Sequence, residues 1–253
     1  MAAAEGGKPC AAPSALTRAG FALPRLARSL EKKEPTTILV VNSASTAKRA
    51  GTDEAGKDSA AKDSATKDSA GKTVARRSFP SYIEETLRAR YPEGGIVVAT
   101  RSAPRATAEA MLDDLPEMLA ETKPALMIWQ TGTFDAILGA ETSAFSDAVG
   151  SGIRLAHAAG ADVVLISPQY SPRTALAFDI GPYTNALRWT ARLEGVPFFD
   201  RYAIMRFWED DGIFDLDASR PSPTLFDEVH RCIGRLLVGL IVDGVDLRTL
   251  GSR

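Results

Sequence analysis

The chain has 253 residues, 45% of them hydrophobic, 25% charged and 7% aromatic, with a formal net charge of -2. That length fits one large α/β domain or two small ones with an ordinary core. A near-neutral balance supplies no basic field for a polyanion, so nucleic acid is excluded as a default partner. No run approaches the roughly 18 to 20 apolar residues of a membrane-spanning helix. The densest stretch, Ile233 to Val242, is broken by Gly234, Arg235 and Gly239, so no span is expected. The first residues, MAAAEGGKPCAAPSALTRAG, lack the basic region and apolar core of a secretory signal. Either the protein stays in the cytoplasm or the signal is missing from this chain. Cys10 and Cys232 are the only cysteines, too few and too far apart for a zinc site of the CxxC kind, and no metal is expected.

Residues 36–41, TTILVV, are a β-branched apolar run followed by the small polar loop 42–46, the pattern of a buried strand and its C-terminal loop. Similar runs recur at 96–99, 125–129, 162–166 and 196–200. Between them lie amphipathic stretches at 80–91, 107–121, 142–159, 182–195 and 227–242; the first places Ile83, Leu87 and Tyr91 on one face. Strands alternating with helices predict a three-layer α/β/α sandwich on a mainly parallel five-stranded sheet. Trp129, Trp189 and Trp208 lie in apolar contexts and are expected in the core rather than as sugar platforms. His157, on a predicted helix, reads as a surface or packing residue.

Residues 51–72 break the pattern. Lys-Asp-Ser-Ala recurs from Lys57, Lys62 and Lys67 with a period of five, which matches neither helix nor strand, and no large apolar side chain is present. A solvated insertion over 51–74 is expected. The remaining organisation is a leader over 1–35 packing on one domain of 36–242, and a C-terminal tail from 243. In open α/β sheets the ligand site lies at the carboxyl ends of the strands. The loops to watch follow residues 41, 99, 129, 166 and 200.

Those loops carry the blocks ILVVNSAST, ALMIWQTGTFDA, ADVVLISPQYSP and RYAIMRFW. Together, in order and spacing, they resemble a bacterial branch of the SGNH (GDSL-like) serine hydrolases, a flavodoxin-like fold, from about Cys10 to Ile241. The resemblance implies ester hydrolysis without a cofactor. It also implies a Cys10–Cys232 bridge and an exported or periplasmic protein, since that branch has a cysteine near each place.

Each of the family's chemical positions can be checked. The nucleophilic serine of the first block falls on Ala44, with Asn42 at the preceding glycine and Ser43 and Ser45 on either side. The second block's glycine amide falls near Pro104, which has no N–H to donate. The third block's asparagine falls on Phe134, a hydrocarbon ring in place of an amide. In the last block, alignment without gaps puts Pro221 at the aspartate and Thr224 at the histidine. Asp227 and His230 offer the Asp-x-x-His spacing of a general base and its carboxylate. His230, however, lies two residues before Cys232 where the branch leaves about eight, so this pair reads as a decoy, with Asp227 a first-turn or cap acid.

Three accounts remain, one of them a structural remnant with no ligand. In the second, the fold is kept without the chemistry and the protein binds a ligand or partner: an acylated envelope carbohydrate or lipid, or an active SGNH relative. Asn42, Arg101, Gly132, Thr133, Asp135 and Gln169 are then the ligand-binding candidates, with Arg105, Gln130 and Tyr170 beside them. Their alternative role is to hold loops through backbone hydrogen bonds. In the third, an unorthodox esterase uses Ser43 or Ser45 with His230 and Asp227.

Overall fold

The computed structural model of the protein describes residues 10–43, 65–67, 73–75, 77–217 and 223–250. Five strands form one parallel sheet: β1 (Thr37–Asn42), β4 (Val97–Ser102), β5 (Leu126–Gln130), β6 (Asp162–Ile166) and β7 (Phe198–Phe199), in the order β4-β1-β5-β6-β7. The buried runs become the three central strands because both of their faces are covered. Along each, alternate residues enter opposite cores. Ile38, Val40, Leu126, Ile128, Val164 and Ile166 face one side; Leu39, Val41, Met127, Trp129, Val163 and Leu165 face the other.

The first core is closed by α1 (Pro24–Glu31), α2 (Phe79–Arg90), α8 (Arg201–Asp210) and α9 (Pro223–Leu250). The second is closed by α3 (Ala108–Thr122), α5 (Thr142–Ala158) and α7 (Gly181–Glu194). Two short helices, α4 (Thr133–Leu138) and α6 (Pro172–Ala177), follow β5 and β6. The chain is thus the expected α/β architecture, with the sheet parallel throughout.

Residues 10–35 are tied to this body at several points. Cys10 and Cys232 form a disulfide with their Cα atoms 5.1 Å apart. The Trp208 indole donates to the Ala11 carbonyl at 2.6 Å. Helix α1 has no side-chain cap of its own. The Asp162 carboxylate on β6 takes that role, accepting the Arg25 and Leu26 amides at 2.8 and 2.9 Å and the Arg25 guanidinium at 3.2 Å.

Four features depart from the sequence reading. β2 (Ala65–Lys67), within the insertion, and β3 (Thr73–Ala75), at its end, pair antiparallel as a two-stranded ribbon. The final helix starts at Pro223 and runs to Leu250, past the expected end at 242. What reads as a tail is helical because Val245 and Leu247 continue its apolar stripe onto the core. Trp189 is 62% exposed, unlike Trp129 and Trp208. It sits on the outer face of α7, whose inward positions are Tyr183, Leu187 and Ala191. Helix α8, inside a block read only as a motif, is an element in its own right, capped by Asp200 through the Ala203 amide at 3.0 Å.

Among the described residues, no helix is long and apolar enough to cross a membrane.

Candidate functional site at the carboxyl edge of the sheet

The strands end at Asn42, Ser102, Gln130, Ile166 and Phe199, and the loops leaving them carry most of the predicted site residues. Ala44, Ser45 and Pro221 lie outside the described residues. Ser43 is 1% exposed and its hydroxyl has no hydrogen-bond partner among the described residues. A nucleophile needs a base within reach of its proton; none of the described residues supplies one to Ser43.

The loop after β4 continues the ladder to β1. Ala103 N–H donates to the Asn42 carbonyl at 2.9 Å, Arg105 N–H to the Ser43 carbonyl at 3.1 Å, and Ala106 N–H to the Ala103 carbonyl at 3.1 Å. Pro104 between them has no N–H. Every amide from 103 to 106 is therefore consumed or missing, and this stretch leaves no backbone amide for an oxyanion. Arg105 takes a left-handed φ of 66° to make the turn. The Asn42 side chain accepts from the Ser102 hydroxyl at 3.1 Å. Arg101 on the edge strand faces Glu121 at 3.5 Å.

Gly132 opens α4 at φ 98°, a conformation that disfavours any side chain. Thr133 and Phe134, next along, are half-buried. Asp135 turns inward: it is 1% exposed and accepts the Ala108 amide at 2.9 Å, capping α3. Burial raises its carboxyl pKa, opposed by the amides that donate to it. This places Asp135 in the scaffold rather than in an open mouth.

The last block is resolved by geometry. Asp227 and His230 lie three residues apart on α9 and face the start of α2. Helix α2 has no side-chain cap from Ser78. Asp227 accepts the Arg77 amide at 3.2 Å, and His230 Nδ1 accepts the Phe79 amide at 3.1 Å. The pair thus satisfies donors at the N-terminus of a neighbouring helix. Asp227 is neither a cap of its own helix nor hydrogen-bonded to His230, and Thr224 is exposed in the first turn of α9.

The His230 ring stacks on Phe79 and Phe226. Burial, helped by the charge of Arg201, lowers its pKa from 6.5 to about 3. Its one lone pair is committed to Phe79, so the neutral ring carries its proton on Nε2 and has nothing to take another. Between those two values the unfolded chain binds a proton that the folded chain does not. Stability is therefore complete above pH 6.5 and lost on acidification towards about 3. His230→Asn, whose amide oxygen can still accept from Phe79, is expected to flatten urea-measured stability across this window by up to about 1.4 kcal/mol per pH unit. Equal slopes in the two proteins would refute the buried neutral histidine.

The residue that sequence reasoning passed over is Arg201, the first position of α8 and 3% exposed. It donates to the Gln130 side-chain oxygen at 3.0 Å and to that of Gln169 at 3.3 Å, linking the ends of β5, β6 and β7. Beside it, Asp200 accepts from the Ser167 hydroxyl at 3.2 Å and forms an ion pair with Arg188. Its signal in the sequence was position alone: a charged residue directly after the last strand, where ligand loops lie. Among the described residues no cluster of His, Cys, Asp and Glu could hold a metal ion.

Comparison with known proteins agrees with this architecture. The Non-GDSL lipase-like family matches residues 9–247. Among solved structures, the chain is similar to TesA, with a TM-score of 0.51 and 21% identity over 81% of this chain and 99% of that one. The acetylxylan esterase Axe2 from Geobacillus stearothermophilus aligns with a TM-score of 0.56 and 15% identity over 81% and 94%. A lipase/acylhydrolase from Enterococcus faecalis gives 0.54 and 17% over 84% and 96%. No curated protein matches the chain. The chain belongs to the Non-GDSL lipase-like family.

Proposed function

We propose that this protein has lost ester hydrolysis and acts by binding at the carboxyl edge of its sheet. The observation that carries the reading is the state of the donors and acceptors there. The loop amides 103, 105 and 106 are bound to backbone carbonyls, and the lone pair of His230 is bound to Phe79. With Ala44 and Phe134 at the serine and asparagine positions, nucleophile, oxyanion donors and base are missing together. The ligand class follows from the relatives: acetylxylan esterase and lipase/acylhydrolase point to an acylated carbohydrate or lipid. An active SGNH relative is the protein partner of the same reading. The Cys10–Cys232 bridge supports an oxidising, exported setting.

The test is intact mass after incubation with a serine-reactive fluorophosphonate, alongside hydrolysis of a short-chain chromogenic ester. No adduct and no turnover are expected. A stoichiometric adduct with turnover would establish an active esterase, and peptide mapping would decide between Ser43 and Ser45.

A further inference from the structure

A guanidinium carries five N–H donors and cannot shed its charge near neutral pH. Buried arginines are therefore found paired with carboxylates. Arg201 departs from this rule. Among the described residues its Nη atoms each make one bond, to the neutral amide oxygens of Gln130 and Gln169, and its Nε makes none. The carboxylate next in the chain, Asp200, is engaged by Arg188, Ser167 and the Ala203 amide. The other described neighbours, the Phe79 ring 5.8 Å from the guanidinium carbon and the neutral His230 beyond it, bring no negative charge. Burial lowers the Arg201 pKa only to about 10, so the side chain stays cationic.

We propose that Arg201 is an oxyanion receptor: with Gln130 and Gln169 holding its plane, its three unused N–H groups take a carboxylate or phosphate carried by the ligand. The two glutamines fix the fork without neutralising it, leaving both its charge and its bidentate geometry for an incoming anion. Access runs past Gln169, which is exposed. Its bond to Nη2, at 3.3 Å, is the longer of the two. The site rests on the binding reading above only in assigning the ligand to this edge of the sheet. It narrows the ligand to an acyl-bearing molecule with an acidic group.

The test follows the arginine Nε–H resonances of the full chain by two-dimensional NMR. Sodium acetate and inorganic phosphate are titrated separately against sodium chloride of matched ionic strength. A saturable downfield shift of one Nε–H signal is expected with acetate if the natural group is a carboxylate, and with phosphate if it is a phosphate. Arg201→Gln removes that signal and assigns it. Gln169→Ala frees a further N–H and opens the path while keeping the guanidinium, so it retains or strengthens the response even if Arg201→Gln fails to fold. The proposal is overturned if neither anion gives a saturable shift beyond chloride in wild type and in Gln169→Ala. Such a result leaves the loss of hydrolysis untouched, whereas a fluorophosphonate adduct with turnover removes that reading and leaves the anion site standing.

Discussion

Restoring the serine, Ala44→Ser, is expected to leave short-chain ester hydrolysis at background and to give no fluorophosphonate adduct. The members of a hydrolytic constellation act as a unit, so replacing one in the absence of the others recovers almost nothing. Among the described residues, neither candidate for a base can serve. Thr224, at the histidine position, is exposed and has a hydroxyl that cannot take a proton near neutral pH. His230 holds its lone pair against the Phe79 amide. The loop after β4 supplies no replacement amide either, because Pro104 has no N–H and its neighbours Ala103 and Arg105 are bound to β1. Each missing oxyanion donor costs about 10²–10³ in rate, and Phe134→Asn would return only one. The double variant Ala44→Ser with Phe134→Asn is therefore also expected at background. Turnover in either, measured with a chromogenic ester, would mean that the serine alone was lost and a base exists within reach.

The fold was legible because its signal is local. Five apolar runs and the amphipathic stretches between them give the sheet and its two layers, since burial on both faces leaves the same mark on every central strand. Helix α9 outran its expected end at 242 because its apolar stripe continues through Val245 and Leu247 to the core. Trp189 misled for the opposite reason: an apolar residue type says nothing about which face of α7 it occupies. The substituted positions at the site were legible as residue types. What Asp227 and His230 do was not, because their partners, Arg77 and Phe79, are some 150 residues away in sequence. Arg201 was hidden in the same way. An arginine after a strand is unremarkable until the structure shows that nothing anionic among the described residues meets it.

Gly152→Ala is expected to destabilise the protein by about 1–3 kcal/mol, although alanine is the better helix former by about 1 kcal/mol. Gly152 lies on α5 where the helix crosses β5, and an added Cβ would sit 2.3 Å from Cζ3 and 2.5 Å from Cη2 of Trp129. The indole cannot step aside. It is fully buried, and its Nε1 donates to the Met111 sulfur on α3 at 3.1 Å. Gly150, two residues earlier on α5, is the control: its added Cβ would meet the Arg154 and Glu194 side-chain ends at 3.1 Å. Those long side chains can swing away, so Gly150→Ala should be neutral or stabilising. In a Trp129→Phe background the ring is shorter, and Gly152→Ala should lose most of its cost, a coupling of about 1 kcal/mol or more in a double-mutant cycle. Urea midpoints of the four proteins measure it, and additive effects would show that the helix simply moves away. The consequence reaches the sheet edge, because Trp129 immediately precedes Gln130, which holds Arg201. Pushing the indole displaces the end of β5, so Gly152→Ala should also weaken oxyanion binding while Gly150→Ala leaves it unchanged.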